Sequence, residues 1–267
     1  MDESLLTEIG STLKTLRAMQ DLLPASGLNQ LENVSEDMNE LISEKYEPYF
    51  CGNAALHLLS SCQRCGRCCR DERTVAVSIE DCRKIAKHLG LSLKKFNIEY
   101  TRPHALKGEN VGNARMIRKA NGENCPFYDI SLPGCAIHSV KPQVCSAAFY
   151  LSKMNLLLCK ENGMFSTFKE CPSDRELRAS IKEYGTKIEN DSEAKSNLVS
   201  TFRSDLPEIR LFHILLRLKG MEMYFGRGKA AYLARKMGFK RMPSTEELRP
   251  AAFLYAVLLL EIEGLGE

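Results

Sequence analysis

The sequence predicts a mostly helical α+β protein, with a small cysteine-rich metal-binding domain flanked by an N-terminal helical hairpin and a C-terminal helical region. Three observations predict it. All 11 cysteines fall between Cys51 and Cys171. The segments on either side carry apolar residues at helical spacing. Between them glycine and proline recur beside short alternating runs, as loops and brief strands require. The implied boundaries are 1–60, 61–172 and 173–267.

In the first segment, Leu6, Ile9, Leu13 and Leu16 alternate spacings of three and four, which buries one stripe of a helix. Pro24-Ala-Ser-Gly27 interrupts the pattern, and Leu28, Leu31, Val34, Met38 and Leu41 resume it. Two such stretches form a hairpin whose apolar seam packs on the rest of the chain or on a partner. In the middle segment, Thr74 to Ser78 alternates like a short strand. Ser78-Ile-Glu-Asp81 has the pattern of a capping box, opening a helix with Ile79, Cys82, Ile85 and Leu89 on its apolar side and Gly90 at its end. A second short helix is expected from Leu91 towards Tyr100. Asn121-Gly122 suits a hairpin turn after a strand near Arg115–Lys119. Beyond Cys171, Lys195–Arg203 and Leu206–Phe225 are the best helix candidates. Ser244-Thr-Glu-Glu247 opens a final helix that must accommodate Pro250.

The bulk properties narrow the setting. A net charge of +3 is too small to argue for nucleic acid or a membrane surface. The opening Met1-Asp-Glu-Ser is acidic where a secretory signal is basic. The longest apolar run, Ala251 to Leu260, is about half of what spans a bilayer. A cytoplasmic location is therefore expected, where thiols stay reduced unless they hold metal or do chemistry. The odd cysteine total also fits a disulfide framework poorly.

The chemistry concentrates in Cys62-Gln-Arg-Cys65-Gly-Arg-Cys68-Cys69. A C-x2-C loop lets two thiolates converge on one ion or one cluster face, and here it is doubled. Gly66 supplies the backbone freedom of a tight loop. Adjacent side chains point apart, so Cys68 and Cys69 either serve different metals or one of them packs. Three thiols leave a four-ligand set incomplete. Cys125-Pro-Phe, Cys135-Ala-Ile-His138, Pro142-Gln-Val-Cys145 and Cys171-Pro offer the remainder. The candidate ligands are thus Cys62, Cys65, Cys68, Cys69, Cys125, Cys135, Cys145 and Cys171, enough for one or two sites. Cys51, Cys82 and Cys159 lie outside these motifs and are expected to pack as small hydrophobes. A lone histidine such as His138 is more commonly a supporting or surface group than a ligand.

Four thiolates suit both zinc and iron–sulfur clusters. The x2 spacings and the Cys-Pro steps favour a [4Fe–4S] cluster, one or two per chain, with zinc as the alternative. Arg64, Arg67, Arg70 and Arg73 interleave or follow the ligands. They either offset the negative charge of the site or form a solvated basic loop.

The order of these motifs, from Cys62-x2-Cys65-Gly-x-Cys68-Cys69 through Cys125-Pro-Phe, Cys135-x-Ile-His138 and Pro142-x2-Cys145 to Cys171-Pro, resembles the YkgJ-like cysteine-cluster family. That family is described as a zinc- or iron-chelating domain, and the resemblance covers about residues 60 to 172. The pattern is also similar to that of flagellin lysine N-methylase, regarded as an iron–sulfur protein that uses S-adenosylmethionine. Where relatives often show Ile-Tyr, this chain has Ile137-His138; where they often show Arg-Pro-x-x-Cys-Arg, it has Lys141-Pro142-Gln-Val-Cys145-Ser146. The Cys-Pro-Gly ending becomes Cys171-Pro-Ser173. The cysteines are kept while their basic and aromatic surroundings change, which implies a retained metal site rather than a shared substrate.

No radical C-x3-C-x2-C run, dinucleotide fingerprint or phosphate-binding loop is present. The leading expectation is an accessory iron–sulfur or zinc protein, not itself an enzyme, serving electron transfer, cluster assembly or scaffolding, with its helical flanks docking on a protein partner. One rival, implied by the resemblance, is a protein lysine methyltransferase; another is a structural zinc module in an interaction scaffold. Residues 226–242 carry Arg227, Lys229, Arg235, Lys236, Lys240 and Arg241 with no acidic residue. A solvated helix face explains them better than nucleic acid, since few aromatics accompany them.

Overall fold

The computed structural model describes residues 3–22, 47–71, 75–106, 109–119, 124–132, 134–142, 145, 172–225 and 227–265. The protein is mostly helical with short antiparallel strands, as its sequence predicts. Among the described residues, those up to Ser60 and from Glu176 onward form one compact unit, and those from Ser61 to Arg175 form another.

The described residues of the first unit are helices and their connections. Helix α1 (Glu3–Ala18) buries Leu5, Ile9, Thr12 and Leu16. The stripe is thus rotated from the predicted one, with Leu6 and Leu13 half-buried at its margin. The second half of the predicted hairpin lies outside the described residues. Helix α2 (Glu47–Leu59) follows and, among its described side chains, Phe50 and Leu56 included, buries all but His57 and Leu59.

The C-terminal helices are α6 (Pro172–Glu189), α7 (Ser192–Phe202), α8 (Pro207–Phe225), α9 (Arg227–Lys236) and α10 (Thr245–Val257), which runs on into a π-helical turn, Leu258–Ile262. Helices α7 and α8 stand where the apolar periodicity predicts them. The start of α6 was hidden in plain composition: Pro172 at the first helical position and Asp174 in the first turn are helix-opening residues. Helix α10 opens with the predicted capping box, Glu247 N–H donating to Ser244 Oγ at 3.2 Å and Ser244 N–H to Glu247 Oε2 at 2.7 Å. Pro250 sits inside α10 without ending it, because Leu248, Ala251, Leu254 and Tyr255 are buried on either side and hold the helix to the core. Helix α1 packs on α7, α8 and α10, and α2 on α8 and α10. Phe202, Phe212 and Tyr255 meet at centroid separations of 5.6 to 5.7 Å at the centre of that packing. Among the described residues no helix is long and apolar enough to cross a membrane.

The second unit is built on a three-stranded antiparallel sheet in the order β1-β3-β2, with β1 (Ala76–Val77), β2 (Thr101–Leu106) and β3 (Glu109–Ile117). Strand β2, absent from the predicted elements, carries Pro103 at the sheet edge, where a strand can lack one donor. Helix α4 (Ile79–His88) opens with the predicted capping box, Asp81 N–H donating to Ser78 Oγ at 3.0 Å and Ser78 N–H to Asp81 Oδ2 at 3.1 Å. Gly90, at φ 67°, ends it. Helix α5 (Leu93–Tyr100) follows the cap Ser92, so its first residue lies two later than the expected start at Leu91. Val77, Cys82, Ile85, Phe96, Phe127 and Ile137 form the core of the unit. Phe96, Tyr100 and Phe127 stack within it at 5.2 to 6.4 Å. Burying Phe96 and Phe127 stabilises the unit by about 1.5–3 kcal/mol each. The predicted turn at Asn121-Gly122 lies outside the described residues.

Candidate metal centre

The cysteine run is an exposed loop ended by a helical turn. Cys62, Gln63, Arg64 and Cys65 are exposed, whereas Gly66 is buried. Arg64 takes φ 55° and Gly66 φ 73°, so the chain turns through left-handed conformations on both sides of Cys65. For arginine that conformation is strained, and such strain gathers at functional loops. Glycine at 66 has a second reason: a Cβ there would come within 2.5 Å of the Tyr128 ring. Helix α3 (Arg67–Asp71) follows, and the Gly66 carbonyl accepts from the N–H groups of Cys69 and Arg70, both at 3.1 Å. Cys68 lies in α3, and its side chain is outside the described residues.

Three later segments come to this loop, two through their backbones and one through a side-chain hydroxyl. Cys125 N–H donates to the Cys69 carbonyl at 2.9 Å. A two-stranded ladder of β4 (Tyr128–Asp129) and β5 (Gly134–Cys135) sets Tyr128 opposite Cys135. Gly134, at φ 113°, lies so close to the loop that a Cβ would come within 2.7 Å of the Arg64 carbonyl oxygen. Ser61 N–H donates to Ser173 Oγ at 3.3 Å, bringing the segment after Cys171 to the residue before Cys62. Cys171 itself lies outside the described residues, as does Cys159.

Cys125, Cys135 and Cys145 are half-buried and rest against the unit's hydrophobic core. Cys145 is held in a turn by its N–H, which donates to the Pro142 carbonyl at 3.0 Å. Among the described residues no three His, Cys, Asp or Glu side chains converge on a point that could hold a metal ion. What unites the segments is main-chain contact at Cys125 and Gly134, joined by the side chains of Ser173, Lys119 and Arg70.

Basic side chains surround the loop. Lys119 Nζ donates to the carbonyls of Cys69 at 3.0 Å and Arg70 at 3.1 Å, capping the end of α3. Arg70 Nη1 donates to the Tyr128 hydroxyl at 3.0 Å, and its guanidinium carbon lies 5.6 Å from the ring centroid. Sequence reasoning missed Lys119, Tyr128 and Gly134. The Pro133-Gly134 step was the available signal for the last of these. Arg73 lies outside the described residues.

His138 begins a short 3-10 turn, His138–Val140, just after β5. Its Nε2 is buried and has no hydrogen-bond partner among the described residues. Leaving such a group unsatisfied costs about 1–3 kcal/mol. Burial first, and then the nearby charges of Lys141 and Arg64, hold its imidazole below the ordinary histidine range. Cys82 behaves as a packing residue: it is fully buried in α4, and burial, followed by the charge of Asp81, pushes its thiol up to about 11. Cys51 is likewise buried.

Thiolates and imidazole are the donors that zinc and iron prefer, and an orphaned ring nitrogen three residues after Cys135 fits such a group. No curated protein matches the chain, and no solved structure does. Residues 61–171 match the model of the CxxCxxCC family, described as a putative zinc- or iron-chelating domain, which is the cysteine-cluster family that the order of motifs resembles.

Proposed function

We propose that this protein is an accessory iron–sulfur protein, whose cysteine-rich unit carries a [4Fe–4S] cluster for electron transfer or cluster assembly in a larger enzyme system. The observation that carries the reading is the left-handed loop that presents Cys62 and Cys65 at the surface while Arg64, Arg70 and Lys119 stand around it. Cys62, Cys65, Cys68 and Cys69 would supply thiolates from the run, and Cys125, Cys135, Cys145 and Cys171 from later in the chain. A bound cluster would supply one-electron chemistry.

The chain's own contribution is positional and electrostatic. A four-thiolate zinc site and a four-thiolate [4Fe–4S]2+ cluster both carry two net negative charges, so the basic residues favour either group over an uncharged one. The C-x2-C-x2-C spacing is what favours the cluster. Exposed thiols at the loop tip also give a partner protein access, which delivery or electron exchange requires and a closed structural zinc site does not.

Metal analysis tests the proposal. Protein produced with iron and purified without oxygen should be brown, with broad visible absorption and iron and sulfide in equal amounts. Colourless protein with stoichiometric zinc would overturn the cluster. Tight equilibrium binding of S-adenosylmethionine would instead favour a methyltransferase over an accessory role.

A further inference from the structure

The metal-binding reading leaves one group near the cysteines unused. We infer that His138 is a metal ligand through Nε2, paired with Cys135, so that the centre has a mixed nitrogen–sulfur donor set. The inference rests on the proposal that this unit holds metal, and goes beyond it by adding a donor that the cysteine pattern does not contain.

Spacing supports the pairing. Cys135-Ala136-Ile137-His138 is a C-x2-H step, the histidine counterpart of the C-x2-C chelate, and a thiolate and an imidazole three residues apart can converge on one ion. The local backbone is held firmly enough to make this a chelate. Ala136 N–H donates to the Phe127 carbonyl at 2.8 Å, Val140 N–H to the Ile137 carbonyl at 3.0 Å, and Ile137 is fixed in the core at 1% exposure. Cys135 and His138 therefore bracket the Ala136-Ile137 step, which a backbone hydrogen bond and core packing hold in place.

Burial supports the ligand. His138 Nε2 has no solvent contact and no hydrogen-bond partner among the described residues, sulfur acceptors included. A ring nitrogen serving as a supporting donor to a thiolate would have such a partner. Arg64 and Lys141 lie close enough to act on the ring. They would repel a bare cation, so the metal that His138 binds must already be coordinated by thiolate. Cys135 provides the nearest in sequence.

The test uses the full chain, loaded in turn with Zn(II) and, without oxygen, with iron and sulfide, and read by X-ray absorption at each metal edge. Wild-type protein should show a nitrogen shell at about 2.0–2.1 Å beside sulfur at about 2.3 Å for zinc. His138→Phe should lose that nitrogen shell and weaken metal binding at least about tenfold. His138→Cys should keep the metal and replace nitrogen by sulfur. Circular dichroism of the metal-free variants, unchanged from wild type, separates lost ligation from lost folding. An all-sulfur shell in the wild type, or a nitrogen shell that survives in His138→Phe, overturns the ligation while leaving the metal centre intact. Wild-type protein that takes up neither zinc nor iron overturns both readings.

Discussion

Cys125 donates its backbone N–H to the carbonyl oxygen of Cys69 at 2.9 Å, and Lys119 Nζ donates to that same oxygen at 3.0 Å. One carbonyl at the end of the cysteine run thus ties the first motif to the second, and a charged donor strengthens the tie. Lys119→Met should leave the thiols in place but loosen the turn that presents them. Groups that orient ligands typically contribute 10- to 100-fold in affinity, so a loss of about tenfold in metal affinity is expected, read by competition with a chromophoric chelator. Unchanged affinity would show that the Lys119 contact is only decoration.

Removing a thiol should do more. Cys65→Ser places a poor metal ligand between two residues of positive φ, and should release most of the metal and lower the thermal stability of the loaded protein. Because binding and folding are coupled, the metal-free forms of variant and wild type should melt much closer together than the loaded forms. Differential scanning calorimetry with and without chelator checks this. Equal metal content in Cys65→Ser and wild type would remove the run from the site.

Cys82→Ala is the matching control. Its thiol is buried in α4 and pushed up to about 11, so it is neither available to a metal nor reactive near neutral pH. The substitution should cost about 1–2 kcal/mol of stability through lost packing, with metal content unchanged. Iodoacetamide at pH 8 should label Cys62 and Cys65, both exposed, well before Cys82 in the metal-free native protein.

Two glycines should discriminate between strain and contact. Gly134→Ala combines φ 113° with a Cβ 2.7 Å from the Arg64 carbonyl oxygen, a backbone atom that cannot swing aside. It should destabilise the cysteine-rich unit by about 3 kcal/mol or more. Gly90→Ala meets strain alone, at φ 67° with open space around it, and should cost about 1 kcal/mol. Urea denaturation followed by circular dichroism measures both, and similar losses would mean that the approach of β5 to the loop is unimportant.

What the sequence made legible follows from how local each cause is. The capping boxes at Ser78 and Ser244, the stop at Gly90 and the helix of Leu206–Phe225 depend on residues within a few positions, so they could be read directly. The rotation of the α1 stripe by one residue could not. Leu5, Leu6, Thr12 and Leu13 offer two nearly equivalent faces, and only packing on α7, α8 and α10 selects Leu5 and Thr12. In the site, the cysteines announce themselves by spacing. Lys119, Tyr128 and Gly134 act through contacts with residues roughly 50 to 70 positions away, and nothing nearby in the chain signals them.

A pH effect should arise at Glu247. Hydrogen bonds from Arg241, and then from the Ser244 backbone and hydroxyl, hold its carboxyl down to about 2, against an ordinary value of 4.5. The unfolded chain therefore binds a proton more readily than the folded one between those values, and stability must rise with pH across them. This contribution is complete above about 4.5 and is lost as the pH falls towards 2. Glu247→Gln removes the charge but can keep part of the cap, so its deficit relative to wild type should be largest at neutral pH and shrink through that window. The pair is at the surface, so about 1 M salt should also narrow the gap. Thermal melts from pH 7 to pH 3, at low and high salt, provide the measurement, and a deficit that stays constant with pH would assign the effect of Glu247 to the cap geometry alone.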